Sequence, residues 1–122
     1  MTMRKFLYFT PALLYYLVIF LVSSASYDID VRISFLDKAV HFFEFSLLAF
    51  LLSVGYFRTV KYSIKTKSAV TIFSGVMLGI LDEIHQSFVP GRHFEIGDMA
   101  ADGLGILIGL ILYLYFSKRM RI

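Results

Sequence analysis

No cysteine occurs in the 122 residues, which excludes disulfides, thiolate nucleophiles and Cys-ligated zinc or iron–sulfur centres. Charge is scarce as well: 17% of the chain is Asp, Glu, Lys or Arg, against 58% hydrophobic residues. The mean hydropathy of +0.74 lies above what a water-soluble globular domain carries. There is no internal repeat and no low-complexity linker. What is present is long apolar stretches. At roughly 20 apolar residues per crossing, about 80 residues make four spans and about 40 remain for loops and termini, which leaves no room for a separate soluble domain. The expected fold is all-α, a four-transmembrane-helix bundle forming one membrane domain over residues 1–122.

The stretch from Phe6 to Tyr27 has no charged residue, follows Arg4 and Lys5, and carries Pro11 where a first helical turn tolerates a missing N–H. Helices are expected over about 6–25, 37–57, 68–88 and 96–117, with Pro90-Gly91 the most definite break. Arg4-Lys5, an apolar run and Ser23-Ser24-Ala25 imitate a signal peptide. The run from Phe6 to Val22 exceeds the roughly 7 to 15 residues of such a core, so a retained span is expected.

Sorting the bases onto this layout puts Arg4, Lys5, Arg58, Lys61, Lys65, Lys67, Lys118, Arg119 and Arg121 on one side, against Arg32, Lys38 and Arg92 on the other. The positive-inside rule then makes both termini and the 2–3 loop cytoplasmic, with the 1–2 loop (Ser23 to Leu36) and the 3–4 loop (Val89 to Glu95) outside. The net charge of +3 and pI near 9.2 thus read as a topology signal directed at anionic lipid, and no nucleic acid is expected as a partner.

No acid lies toward the cytoplasm. Asp28, Asp30, Asp37, Glu44, Asp82, Glu83, Glu95, Asp98 and Asp102 all fall in an outer loop or the outer part of a helix. An ionised residue at mid-bilayer costs roughly 2.5 to 3.5 kcal/mol on insertion scales, so these acids should face the bundle interior. Asp37, His41 and Glu44 share one stripe of helix 2; Gly75, Gly79, Asp82, Glu83 and Gln86 share a face of helix 3; Asp98, Asp102, Gly105 and Gly109 share a face of helix 4. Each stripe on helices 3 and 4 is acidic toward the outside and glycine toward the inside. The glycine pairs are read as packing elements that let helices approach closely, with a polar cavity opening beyond them. Asp37 and Asp98 are equally compatible with capping their helix starts, and His85 and His93 with ordinary interfacial positions. Capping does not explain Glu44, Asp82 and Glu83, which lie one to three turns inside a span.

Six carboxyls in this region face two cations, Lys38 and Arg92, and one histidine, His41. Either some carboxyls stay protonated, or the site takes up a divalent metal or a cationic ligand. His41 with Glu44, Asp82, Glu83 or Asp98 offers oxygen and imidazole ligands acceptable to manganese, magnesium or zinc, although no spacing matches a metal motif such as H-E-x-x-H. Arg92, after the Pro90-Gly91 turn, is suited to hold a phosphate or carboxylate by a bidentate fork, or to neutralise an acid.

The segments Asp37-Lys38-x-x-His41-Phe42-x-Glu44, Asp82-Glu83-x-x-Gln86-x-Phe88-Val89-Pro90-Gly91-Arg92 and Asp98-x-x-x-Asp102-x-x-Gly105 resemble the three motifs of the VanZ-like family, over about Leu36 to Gly109. The resemblance implies a four-helix, multi-pass protein of a bacterial cell membrane, with some members linked to reduced susceptibility to teicoplanin and related glycopeptides. Phe45 stands where tyrosine is common and Asp102 where asparagine is common. The first removes a hydroxyl from the region and the second adds an ionisable group.

The leading expectation is a membrane-embedded enzyme or modifying protein acting at the outer leaflet on a membrane lipid or a lipid-linked cell-envelope molecule. Glu44, Asp82, Glu83 and His41 would do acid/base or metal chemistry, while Arg92, Lys38, Gln86, Asp98, Asp37 and Asp102 would bind substrate. A second expectation is a non-enzymatic accessory protein that lowers glycopeptide access to its target. A small proton-coupled exporter is disfavoured, because helix 1 carries no charge and every acid lies on one side. The sequence does not fix an oligomeric state.

Overall fold

In a computed structural model, residues 2–24, 34–90 and 95–120 are described. Among these residues the secondary structure is entirely helical: α1 (Met3–Phe6), a single 3-10 turn (Leu7–Phe9), α2 (Thr10–Ser23), α3 (Ser34–Thr59), α4 (Ile64–Ser87) and α5 (Ile96–Met120). Four spans are long and apolar enough to cross a membrane: Met3–Ser23, formed by α1, the 3-10 turn and α2, and then α3, α4 and α5. Pro11 sits in the first turn of α2, where its absent N–H leaves no bond unmade. α4 begins at Ile64 rather than Ser68 because Ser63 caps it, its hydroxyl accepting from the Thr66 N–H at 3.2 Å. α3 begins at Ser34, so Asp37 lies inside its first turn.

The spans alternate in direction, which collects the charges at two ends. At one end Arg58 lies over the Tyr8 ring at 5.5 Å and Lys67 over the Phe57 ring at 5.2 Å, with Lys118 and Arg119 in the last turn of α5. The other end holds the acids of the described residues. Leu13, Leu17, Leu21, Phe43, Phe73 and Ile111 are exposed around the bundle, the surface that lipid would cover. Inside are Phe45, Leu48, Ala49 and Ile106 together with small and polar residues.

α3 and α5 run parallel and make the closest contact. A Cβ on Gly105 would overlap the Phe42 carbonyl oxygen, and one on Gly109 the Ser46 carbonyl oxygen, so these two positions bring backbone against backbone. Gly75 and Gly79 of α4 instead face side chains, Ile106 for the first and Asp102 and Phe45 for the second. Burial of apolar area cannot drive association between lipid-solvated helices, so this close packing is the main source of cohesion. The first span is tied on by polar contacts, including the Tyr16 hydroxyl, which donates to the Leu78 carbonyl of α4 at 2.8 Å. Tyr16→Phe is expected to lower stability by about 0.5 to 1.5 kcal/mol. Thermal unfolding in detergent by circular dichroism checks this, and an unchanged midpoint would show that the bond contributes nothing.

Candidate functional site

Three helix ends build the site. Asp37 and His41 lie one turn apart at the start of α3, Asp98 and Asp102 one turn apart at the start of α5, and Asp82, Glu83 and Gln86 near the end of α4. The Gly105 and Gly109 contacts draw α3 and α5 together just below these residues. That proximity lets a side chain on one helix reach the next.

The centre is His41, which is buried. Its Nδ1 lies 3.0 Å from Asp102 Oδ1, also buried. With Asp102 ionised the carboxylate only accepts, and the imidazole then donates from Nδ1. On the other side of the ring, Nε2 faces Asp98 Oδ2 and Asp37 Oδ2, each at 3.9 Å. Those two distances are too long for hydrogen bonds. Glu83 completes the surroundings: its Oε2 accepts from the Glu95 backbone N–H at 3.4 Å, and it offers a carboxylate oxygen within 4.8 Å of ligand atoms of His41 and Asp102.

A second group lies toward α2. Gln86 donates from Nε2 to Asp82 Oδ2 at 3.0 Å, and Ser23 at the end of α2 is within hydrogen-bonding reach of Asp82. Half-buried Glu44 joins Ser23, Asp37, His41 and Gln86 around a cavity of about 20 Å³. A second cavity of about 30 Å³ lies between Gly79 and Asp102. Each has room for a water molecule or an ion, and neither for a sugar or a peptide. Asp82 Oδ1, Glu83 Oε1, Asp98 Oδ1 and Asp102 Oδ2 are buried with no hydrogen-bond partner among the described residues.

Lys38 lies at the rim. It donates to Glu95 Oε2 at 2.8 Å and stands 3.6 Å from Asp98 Oδ1, with its chain crossing over Gly97. A side chain on Gly97 would have to displace it.

Of the residues singled out from the sequence, His41, Asp37, Glu83, Asp98 and Asp102 meet in one polar centre, Lys38 covers its edge, and Asp82, Gln86 and Glu44 form the adjoining group. Arg92 lies outside the described residues, as do His93, Asp28, Asp30 and Arg32. His85 is not part of the site: its ring stacks on Phe20 at 3.9 Å and its Nε2 contacts the Ser24 hydroxyl at 2.7 Å. Two contributors escaped the sequence reading. Glu95, assigned no role there, is the nearest partner of Lys38, and Ser23 had counted only as part of a signal-like triplet. A hydroxyl at the polar end of an uncharged helix was the available clue for Ser23.

The arrangement defines a class: a four-span α-helical, multi-pass membrane protein with a buried carboxylate–histidine centre at one end of its bundle. The chain belongs to the VanZ/LLP1 family, whose model matches residues 1–117. It is also similar to an uncharacterized protein of the fission yeast Schizosaccharomyces pombe, 34% identical over 84 residues, which are 68% of this chain and 49% of the relative. The chain therefore spans about half the length of that curated relative. No solved structure matches it.

Proposed function

We propose that the protein binds an anionic lipid-linked molecule of the cell membrane at the outer leaflet, through the acidic end of its bundle. The nine-to-three partition of basic residues supports placing that end outside and both termini in the cytoplasm. The observation that carries the reading is the convergence of His41, Asp98, Asp102 and Glu83 beneath a rim of Lys38 and Glu95 at one end of the bundle. Lys38, together with Arg92, which follows Pro90-Gly91 in the sequence, would supply the positive charge for a phosphate or pyrophosphate. Glu44, Asp82, Glu83 and His41 are the groups that would transfer protons to such a molecule if it is turned over.

Binding without turnover is a second reading, favoured by the small volume of both cavities. In that case the protein is an accessory factor, and lowered glycopeptide susceptibility follows from occupying an envelope precursor. A relative in fission yeast favours a ligand class that also occurs outside bacteria. Mass spectrometry of lipids from cells with and without the protein separates the two readings. A modified lipid that disappears with Glu83→Gln marks an enzyme. An unchanged lipid profile with retained binding by the purified protein marks an accessory factor. Neither a changed lipid nor any binding would refute both.

A further inference from the structure

The two nitrogens of His41 are treated differently by the carboxylates around them, and the difference points to a ligand. Nδ1 is in hydrogen-bond contact with Asp102 at 3.0 Å, whereas Nε2 stands 3.9 Å from both Asp37 and Asp98. A protonated Nε2 facing two carboxylates would close on one of them to about 2.8 Å. An unprotonated Nε2 turns its lone pair toward two oxygens that also carry only lone pairs. In either state no group among the described residues fills the gap at Nε2. A cation explains it: ligands each roughly 2.0 to 2.2 Å from one ion stand up to about 4 Å apart.

The geometry points to a divalent transition-metal site in which His41 Nε2 and the carboxylates of Asp37 and Asp98 are the ligands and Asp102 is the residue that positions the imidazole. Asp37 and His41 are spaced i, i+4 on α3, the spacing by which one helix face presents two ligands to one ion. Asp98 comes from the first turn of α5, held against α3 by the glycine contacts. The Asp102 contact at Nδ1 is the carboxylate–histidine arrangement that fixes tautomer and ring orientation in metal centres. An independent observation supports a missing positive charge: the buried oxygens Asp102 Oδ2, Glu83 Oε1 and Asp82 Oδ1 have no hydrogen-bond partner among the described residues, whereas Asp98 Oδ1 has Lys38 Nζ at 3.6 Å. One imidazole with two carboxylates suits Zn²⁺ or Mn²⁺ better than Mg²⁺ or Ca²⁺, which prefer oxygen alone. The site stands whether or not the protein binds a lipid head group, because metal uptake is read in the absence of such a lipid.

The test is Mn²⁺ titration of the full chain in detergent, followed by electron paramagnetic resonance, with Zn²⁺ as competitor. The expected result is one saturable Mn²⁺ per chain, displaced by Zn²⁺, with pulsed spectra showing coupling to an imidazole nitrogen. Asp98→Asn and Asp37→Asn, which keep volume and remove charge, should each weaken binding at least about tenfold, and Asp102→Asn by about tenfold through loss of ring positioning. Asp82→Asn removes an equal charge outside the ligand set and should leave affinity within about twofold. Size-exclusion profiles matching the wild type establish that each variant is folded. The proposal is overturned by any of three results: no saturable Mn²⁺ in the wild type, no nitrogen coupling, or equal losses in Asp82→Asn and Asp98→Asn.

Discussion

Gly109→Ala is expected to disrupt the bundle, lowering stability by roughly 3 kcal/mol or more. The added methyl group would overlap the Ser46 carbonyl oxygen and press on the Ala49 side chain, both on α3. A backbone carbonyl has no rotamer to move into, so relief requires α3 and α5 to separate. That separation would also pull Asp98 and Asp102 away from His41, because the same two helices carry them. Gly103→Ala is the matched control on the same helix, since nothing lies within 4 Å of a Cβ there. Removing a glycine from a helix interior should leave its stability equal or slightly higher. Thermal unfolding of both variants in detergent checks the pair. Equal midpoints would mean that the close approach at Gly109 does not hold the bundle.

His41→Ala should have a comparable effect for an electrostatic reason. His41 is buried among Asp37, Asp98, Asp102 and Glu83, and it is the only imidazole in that group. Its removal leaves buried carboxylates without their shared partner as well as a void, which together cost roughly 3 to 5 kcal/mol. Lys38→Ala, which removes a full positive charge from the same end, should cost less than about 1 kcal/mol, because the Lys38–Glu95 pair is partly exposed and solvent screens it. The contrast separates a buried centre from a solvated cluster, and similar small losses in both variants would favour the cluster.

The sequence is most legible where one chemical property decides the outcome. Hydropathy alone locates four spans, and the 3.6-residue period places Asp98, Asp102, Gly105 and Gly109 on one face of the last helix, where the structure buries all four. Helix starts are less legible because they depend on local capping: Ser63 extends α4 back over Lys65 and Lys67, which hydropathy alone assigns to a loop. The pairing of His41 with Asp102 crosses between parallel helices 61 residues apart, and no periodicity within either helix encodes which residue meets which. It depends on the register that Gly105 and Gly109 set against Phe42 and Ser46. For the same reason the pairs Gly75/Gly79 and Gly105/Gly109 are equivalent in sequence, although of these four only Gly105 and Gly109 meet backbone.

The rim offers the most direct test of the functional reading. In the structure Glu95 occupies Lys38, so an anionic head group must compete with that carboxylate for the ammonium. Equilibrium binding of a polyprenyl pyrophosphate to the protein in neutral-lipid nanodiscs, compared among wild type, Lys38→Gln and Glu95→Gln, measures that competition. Tightest binding is expected for Glu95→Gln, by up to about fivefold for an exposed pair, and weakest for Lys38→Gln. Absence of binding, or equal affinity in all three proteins, would contradict it.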